Sequence, residues 1–134
     1  MKRLALIPLI ALAACNPPVD DTPGEFETFS ASLIADAGCR FAPVGGDGDA
    51  LLFATYADNP DHLAVAKFKG ETLKLVPREP QPMDTDSFDI LYEVVDYLKW
   101  QVRASSVDGV GELRLVRDGE ATDRRVAMQG SCEG

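Results

Sequence analysis

The sequence predicts an all-β domain, a small antiparallel barrel or sandwich of roughly 6–8 strands. Two observations carry that expectation. Short apolar segments alternate with period two, as at Leu73 and Leu75 or Leu113 and Leu115, the pattern of a strand with one face in a core. Turn dipeptides punctuate them at Lys69-Gly70, Asp108-Gly109 and Asp118-Gly119, where Gly supplies the positive φ of a tight hairpin.

The elements follow in order. Phe26 to Ile34 reads as an opening strand or a short helix. Ala50 to Tyr56 is a dense apolar run bounded by two Gly-, Asp- and Pro-rich stretches, and Leu63 to Phe68 is a second run. Over Thr72 to Val76, Leu73 and Leu75 point inward while Thr72 and Lys74 point outward. Pro77 to Ser87 holds three prolines and reads as a long loop. Phe88 to Leu98 is ambiguous. A helix would put Leu91, Val94, Val95 and Leu98 on one face. The favoured reading is strand from about Tyr92, running with a bulge into the Trp100 segment. There Trp100, Val102 and Ala104 alternate with Gln101, Arg103 and Ser105. Val126 and Met128 close the pattern beside outward Arg125 and Gln129. Closing such a sheet into a barrel would remove its exposed edges.

Residues 1–25 do not belong to that pattern. Met1-Lys2-Arg3 is a positive start, and Leu4 to Ala14 is an apolar run of 11 residues. That run is too short to span about 30 Å of hydrocarbon and reads as an export signal. It ends in Leu12-Ala13-Ala14-Cys15, which resembles the lipobox of bacterial lipoprotein precursors. The resemblance implies that residues 1–14 are a signal peptide, removed after a diacylglycerol is attached to the Cys15 thiol. Several acyl chains anchor stably where one is marginal. Asn16, rather than Asp, in the next position implies the outer membrane, facing the periplasm. Residues 15–25 then form the lipidated cysteine and a tether of three prolines, a glycine and three acids, able to reach about 30 Å when extended. Residues 26–134 are the periplasmic domain.

With Cys15 lipidated, two cysteines remain. In an oxidising periplasm Cys39 and Cys132 are expected to form a disulfide. Redox catalysis is not expected, because no Cys-x-x-Cys pair exists.

Charge narrows the partners. The whole chain carries −9. Loss of Lys2 and Arg3 takes 13 basic residues to 11 against 22 acidic ones, a net −11. Nucleic acid is excluded as a general partner, since binding it needs clustered Lys and Arg, and Arg124-Arg125 is too short a run. The acidic domain as a whole is expected to repel anionic lipid headgroups and to suit a basic protein of the envelope.

Catalytic and metal motifs are sparse. His62, the one histidine, sits in a turn-like Asp58-Asn59-Pro60-Asp61-His62 without a nucleophile elbow, and reads as a loop residue. Asp47 and Asp49, Asp58 and Asp61, and Asp84, Asp86 and Asp89 cluster in loops, but none has EF-hand spacing, so solvated turns are the expectation. Gly45-Gly46-Asp47-Gly48 lacks the Lys of a phosphate-binding loop. Tyr92, Tyr97 and Trp100 lie close together; Trp100 is read as core, with Tyr97 on the opposite, amphipathic surface. No cofactor, no metal and no enzymatic activity are expected.

Ala64 to Leu75 is similar to the strand, Gly turn and strand of the membrane-bound inhibitors of c-type lysozyme, and the late Cys132 fits them too. That resemblance implies a compact antiparallel barrel and an inhibitor role. The family's Ser-Gly-x-x-Tyr motif has no counterpart in the comparable Met83 to Tyr92 segment, so no inhibitory residue carries over. The reading favoured by the residues is an outer-membrane-anchored periplasmic lipoprotein with a non-catalytic interaction or structural domain. Lysozyme inhibition is the alternative.

Overall fold

Period-two alternation continues through almost every strand, and the consequence is a sheet that curls onto its own apolar face. A computed structural model describes residues 26–34, 37–46, 48–56, 63–80 and 85–132. The strands are β1 (Phe26–Glu27), β2 (Phe29–Ser30), β3 (Ala37–Pro43), β4 (Ala50–Leu51), β5 (Phe53–Tyr56), β6 (Ala64–Phe68), β7 (Glu71–Pro77), β8 (Phe88–Val94), β9 (Trp100–Val107), β10 (Val110–Arg117) and β11 (Glu120–Cys132). Eight of them, β3 and β5 to β11, form a closed antiparallel barrel. Each pairs with the next along the chain, and β11 returns to pair with β3. The architecture is an up-and-down meander, the simplest way to give every strand two neighbours.

The hairpins obey the turn chemistry. Lys69 and Gly70 have φ of 55° and 78°, Asp108 and Gly109 54° and 91°, and Asp118 and Gly119 51° and 85°. Positive φ at both central residues is the type I′ signature, whose twist matches that of the flanking strands.

Inside the barrel lie Phe41, Phe53, Leu75, Ile90, Tyr92, Val102, Ala104, Leu113, Leu115 and Met128, all buried. Phe41 and Phe88 meet edge to face at 5.4 Å, and Phe53 packs 5.6 Å from Tyr92. The aromatic rings fill this half of the interior with protein, as expected for a barrel of this strand number. The Tyr92 hydroxyl is buried there with no hydrogen-bond partner among the described residues. Burial pushes its phenol well above the ordinary pKa of 10.0.

A second apolar cluster sits outside. Ala42, Ala54 and Val65 turn outward from β3, β5 and β6, and Phe29, Ile34 and Leu51 cover them. The segment carrying Phe29 and Ile34 is β2 followed by a short 3₁₀ turn, Ala31–Leu33, capped by Ser30. The opening segment is thus both strand and helical turn, because its task is to cover a face rather than extend the sheet. Burying each of these large side chains stabilises by about 2 kcal/mol.

Cys39 and Cys132 are bonded and are direct cross-strand partners in the closing β3–β11 ladder. The Cys39 N–H donates to Thr55 Oγ1 and the Cys132 N–H to Asp86 Oδ1. At the same closure a Cβ on Gly130 would overlap the Arg40 carbonyl oxygen, and in the β9–β10 ladder one on Gly111 would overlap the Ser105 carbonyl oxygen. These two glycines let neighbouring backbones approach where the sheet bends.

Two expectations need correction. The strand in the ambiguous segment is Phe88–Val94, with Phe88, Ile90, Tyr92 and Val94 inward. It does not start at Tyr92 or run on into Trp100. Val94 O accepts from Tyr97 N and Tyr97 O from Trp100 N, so a double turn separates two strands. Asp96 supplies the left-handed residue, φ 77°, that ends β8, while apolar Val95 and Leu98 mask the turn in the sequence. The closing strand β3 was not anticipated, because its short sequence buries residues on both faces: Cys39 and Phe41 inward, Ala42 outward. The expected signal, tether and Cys15 lie outside the described residues.

Replacing both Cys39 and Cys132 with Ala is expected to cost about 2–5 kcal/mol, because the bond closes a long loop in the unfolded chain. Urea unfolding would show a lowered midpoint. Tyr92→Phe is expected to raise stability by about 1 kcal/mol, since it deletes a buried hydroxyl that has no partner among the described residues. The same urea assay reads it as a midpoint shift in the opposite direction.

Candidate functional site

The meander puts the turns alternately at two ends of the barrel. One end carries the β6–β7, β8–β9 and β10–β11 turns and is here called the mouth end. The other carries the β9–β10 turn and the Cys39–Cys132 bond, and is called the disulfide end. The disulfide end is built up by the segment before β8. Asp86 O accepts from Ser106 Oγ at 2.7 Å and from Gly109 N at 3.0 Å, while Ser87 Oγ accepts from Asp108 N at 2.9 Å.

The mouth end is concave. A cleft of about 540 Å³ opens there, walled by Phe68, Leu73, Val94, Trp100 and Leu115. Polar groups from three turns and strand ends rim it: Lys69, Glu71, Tyr97, Lys99 and Arg117. The Arg117 guanidinium lies 5.1 Å from the centre of the Trp100 ring, a cation–π arrangement. The Tyr97 hydroxyl donates to both Glu71 carboxylate oxygens, at 2.7 and 2.8 Å. That hydrogen bond, with the nearby Glu71 and Asp96 charges, raises the Tyr97 phenol above its ordinary 10.0. The lining carboxylate is therefore engaged by a phenol, and Lys69, Lys99 and Arg117 stand with it around an apolar floor.

Leu98 stands at the tip of the turn between Tyr97 and Lys99, 89% exposed. Val95 and Tyr97 beside it are also exposed. A leucine at such a turn position has no backbone reason to be there, since turns favour Gly, Asn, Asp and Pro.

A second concavity, about 420 Å³, lies on the outer face of β8, β9 and β10. Its charges answer one another. Arg103 Nε and Nη2 grip Asp89 Oδ1 and Oδ2 at 2.7 and 2.6 Å, and Arg78 Nε donates to Glu93 Oε2 at 2.7 Å. The Arg103 hydrogen bond holds the Asp89 carboxyl below its ordinary range, against a small opposing effect of burial. Such exposed pairs contribute little to stability, and they leave this face little uncompensated charge with which to hold a ligand.

The residues singled out in the sequence are dispersed. His62, Asp47, Asp58, Asp61 and Asp84 lie outside the described residues, as does Cys15. Asp86 accepts from the Cys132 backbone and Asp89 from Arg103, so these two acids serve the fold. Among the described residues no group of three His, Cys, Asp or Glu side chains is placed to hold a metal ion. Tyr92 is an interior residue. Tyr97 and Trp100, expected on opposite faces, instead line the same cleft, because Tyr97 belongs to a turn and not to the strand of Trp100. Arg125 approaches Glu112 at 3.9 Å beside the bulged start of β11. Sequence reasoning missed Lys69, Lys99, Arg117 and Leu98. Only the apolar Leu98 between two polar turn residues hinted at them.

No family model, curated protein or solved structure matches the chain.

The Tyr97–Glu71 contact makes a pH-dependent prediction. The folded state holds the Tyr97 proton more tightly than the unfolded chain does. The contact therefore stabilises below the ordinary phenol pKa and is lost as pH rises through the raised folded value. Glu71→Gln is expected to move the Tyr97 ionisation back towards 10.0. Alkaline absorbance titration of the folded protein reads this directly.

Proposed function

We propose that this chain is a lipoprotein of the bacterial cell envelope, acylated at Cys15 and held at the outer membrane, whose periplasmic barrel is a non-catalytic interaction module. The observation that carries the module reading is the mouth cleft. It combines an apolar floor, a half-buried Trp100 and a rim of Lys69, Lys99 and Arg117. Aromatic and cationic side chains around an apolar floor are the composition of a recognition surface. Acid–base or nucleophilic chemistry would ask for a base set against a nucleophile. Here Glu71, the lining carboxylate, is bonded to a phenol.

The anchor reading rests on Leu12-Ala13-Ala14-Cys15 and on the tether composition of residues 16–25. A filled barrel interior also supports action at the surface, since Phe41, Phe53 and Tyr92 occupy the space a deep ligand would need.

The inhibitor reading shares the antiparallel barrel and the disulfide. Tyr92, the tyrosine of the segment comparable to the family's inserting motif, is wholly buried and has no route into an enzyme cleft. The interaction-module reading is therefore preferred.

In a bacterial host labelled with radioactive palmitate, the chain is expected to take up label and fractionate with outer membranes. Cys15→Ser is expected to abolish labelling and leave the uncleaved precursor. Labelling of that variant would overturn the anchor. Block of c-type lysozyme by the chain from Asn16 onward, at physiological salt, would replace the module reading with the inhibitor one.

A further inference from the structure

We propose that the mouth end docks on the phospholipid surface of the membrane that holds the anchor, so that the barrel stands mouth down. The proposal deepens the lipoprotein reading and rests on it for the identity of the membrane.

Three independent features of the mouth end point there. The first is where the chain enters. β1 begins the described domain at Phe26 and runs alongside the end of β6, Phe26 opposite Phe68 and Glu27 opposite Lys67. Glu27 Oε1 also accepts from Gly70 N in the β6–β7 turn. The segment from Cys15 to Glu25 therefore joins the barrel at its mouth end. The ten residues between Cys15 and Phe26 span about 30 Å at most, so in the anchored reading the mouth is the end through which the anchor pulls.

The second is the exposed apolar turn. Val95, Tyr97 and Leu98 project from the β8–β9 turn next to Trp100. In water an 89% exposed leucine at a turn tip gains nothing. At a bilayer interface it buries its side chain, and Tyr and Trp place their rings at headgroup depth with their polar atoms in the wet layer.

The third is charge. Lys69, Lys99 and Arg117 line the cleft in a protein whose acidic residues outnumber its basic ones. Their long stems lie along apolar surface while their charged ends suit phosphate oxygens. Glu71, which accepts from Tyr97, lines the cleft as well, and Glu27, Asp96, Asp118 and Glu120 lie around this end, so the lining itself sets three cations against one carboxylate. Seated on a bilayer, the apolar turn would enter the headgroup layer, and the cleft would receive a phospholipid phosphate against its cations. The disulfide end, with exposed Val107 and Val110, would then face the periplasm.

The test uses the chain from Asn16 onward, because every described element lies between residues 26 and 132. Trp100 is the only tryptophan and reports the mouth directly. Vesicles of equal parts phosphatidylcholine and phosphatidylglycerol are the probe, at near-physiological salt. The Trp100 emission is expected to shift to the blue, and the protein to float with the vesicles. Leu98→Asp should weaken partitioning about tenfold, the scale of losing one buried leucine. The Lys69→Glu and Lys99→Glu pair should remove the preference over pure phosphatidylcholine. Val107→Asp, at the opposite end and 72% exposed, should bind as the parent does.

Absence of flotation, or an equal loss in Val107→Asp, would overturn the proposal. So would a dimer that Leu98→Asp dissociates, since a second copy would then cover the patch. Uptake of monomeric dihexanoyl phosphatidylglycerol without vesicle binding would overturn it in favour of a pocket for a free lipid. The probe lacks Cys15, so a negative result leaves the acylation reading standing. Failed palmitate labelling would equally leave a positive vesicle result intact.

Discussion

The pairing of β3 with β11 is the constraint on which the rest of the molecule depends. Seven of the eight barrel ladders join strands that are successive around the barrel, three of them through two-residue I′ turns. The eighth joins the first barrel strand to the last, with Cys39 and Cys132 separated by 93 positions. Without it the meander is an open sheet with two bare edges and one apolar face in water. Loop-closure entropy opposes this pairing more than any other in the barrel. The disulfide removes much of that cost by shrinking the unfolded ensemble. Gly130, where a side chain would collide with the Arg40 carbonyl, permits the strands to meet at the required distance.

Closure in turn decides where chemistry can occur. A barrel of eight strands has room inside for side chains, and Phe41, Phe53, Phe88 and Tyr92 take that room towards the disulfide end. Most of the outer wall is either covered by Phe29, Ile34 and Leu51 or occupied by charges that answer one another, as Arg103 answers Asp89. The mouth is the concavity that combines an apolar floor with aromatic and cationic side chains. There the inward side chains of the last layer, Phe68, Leu73, Val94, Trp100 and Leu115, floor a cleft, and the polar residues of three turns gather at its rim. A surface that combines Trp100, Arg117 and two lysines is therefore a direct product of up-and-down topology, which brings every second turn to the same end.

The two ends of the barrel are consequently unlike. The disulfide end is knitted by backbone and hydroxyl hydrogen bonds from Asp86, Ser87, Ser106 and Cys132. The mouth end has backbone bonds of its own, Trp100 N to Tyr97 O and Asp118 N to Lys99 O, and adds a phenol–carboxylate contact and a cation–π contact at the surface.

The strand segments from Leu63 onward were legible in the residues, because alternation and I′ turn dipeptides are local signals. Leu73 and Leu75 face inward, and Lys69-Gly70 turns, on the strength of a handful of neighbouring residues. The β8–β9 boundary was not legible, since Val95 and Leu98 imitate a core pattern while exposed. Nor was β3, whose burial on both faces depends on a covering segment that local alternation does not reveal. The lipoprotein expectation came from the resemblance of Leu12-Ala13-Ala14-Cys15 to a lipobox, and the cysteine pairing from the oxidising compartment it implies; the pairing is present in the fold. The candidate site belongs wholly to the tertiary structure. Lys69, Tyr97, Lys99 and Arg117 look like ordinary turn and strand-end residues, and they acquire a common purpose only when three hairpins finish at one end. Sequence determines which way each strand faces, because that needs only two-residue periodicity. Only the closed barrel determines which turns become neighbours, because that depends on strand order around a ring.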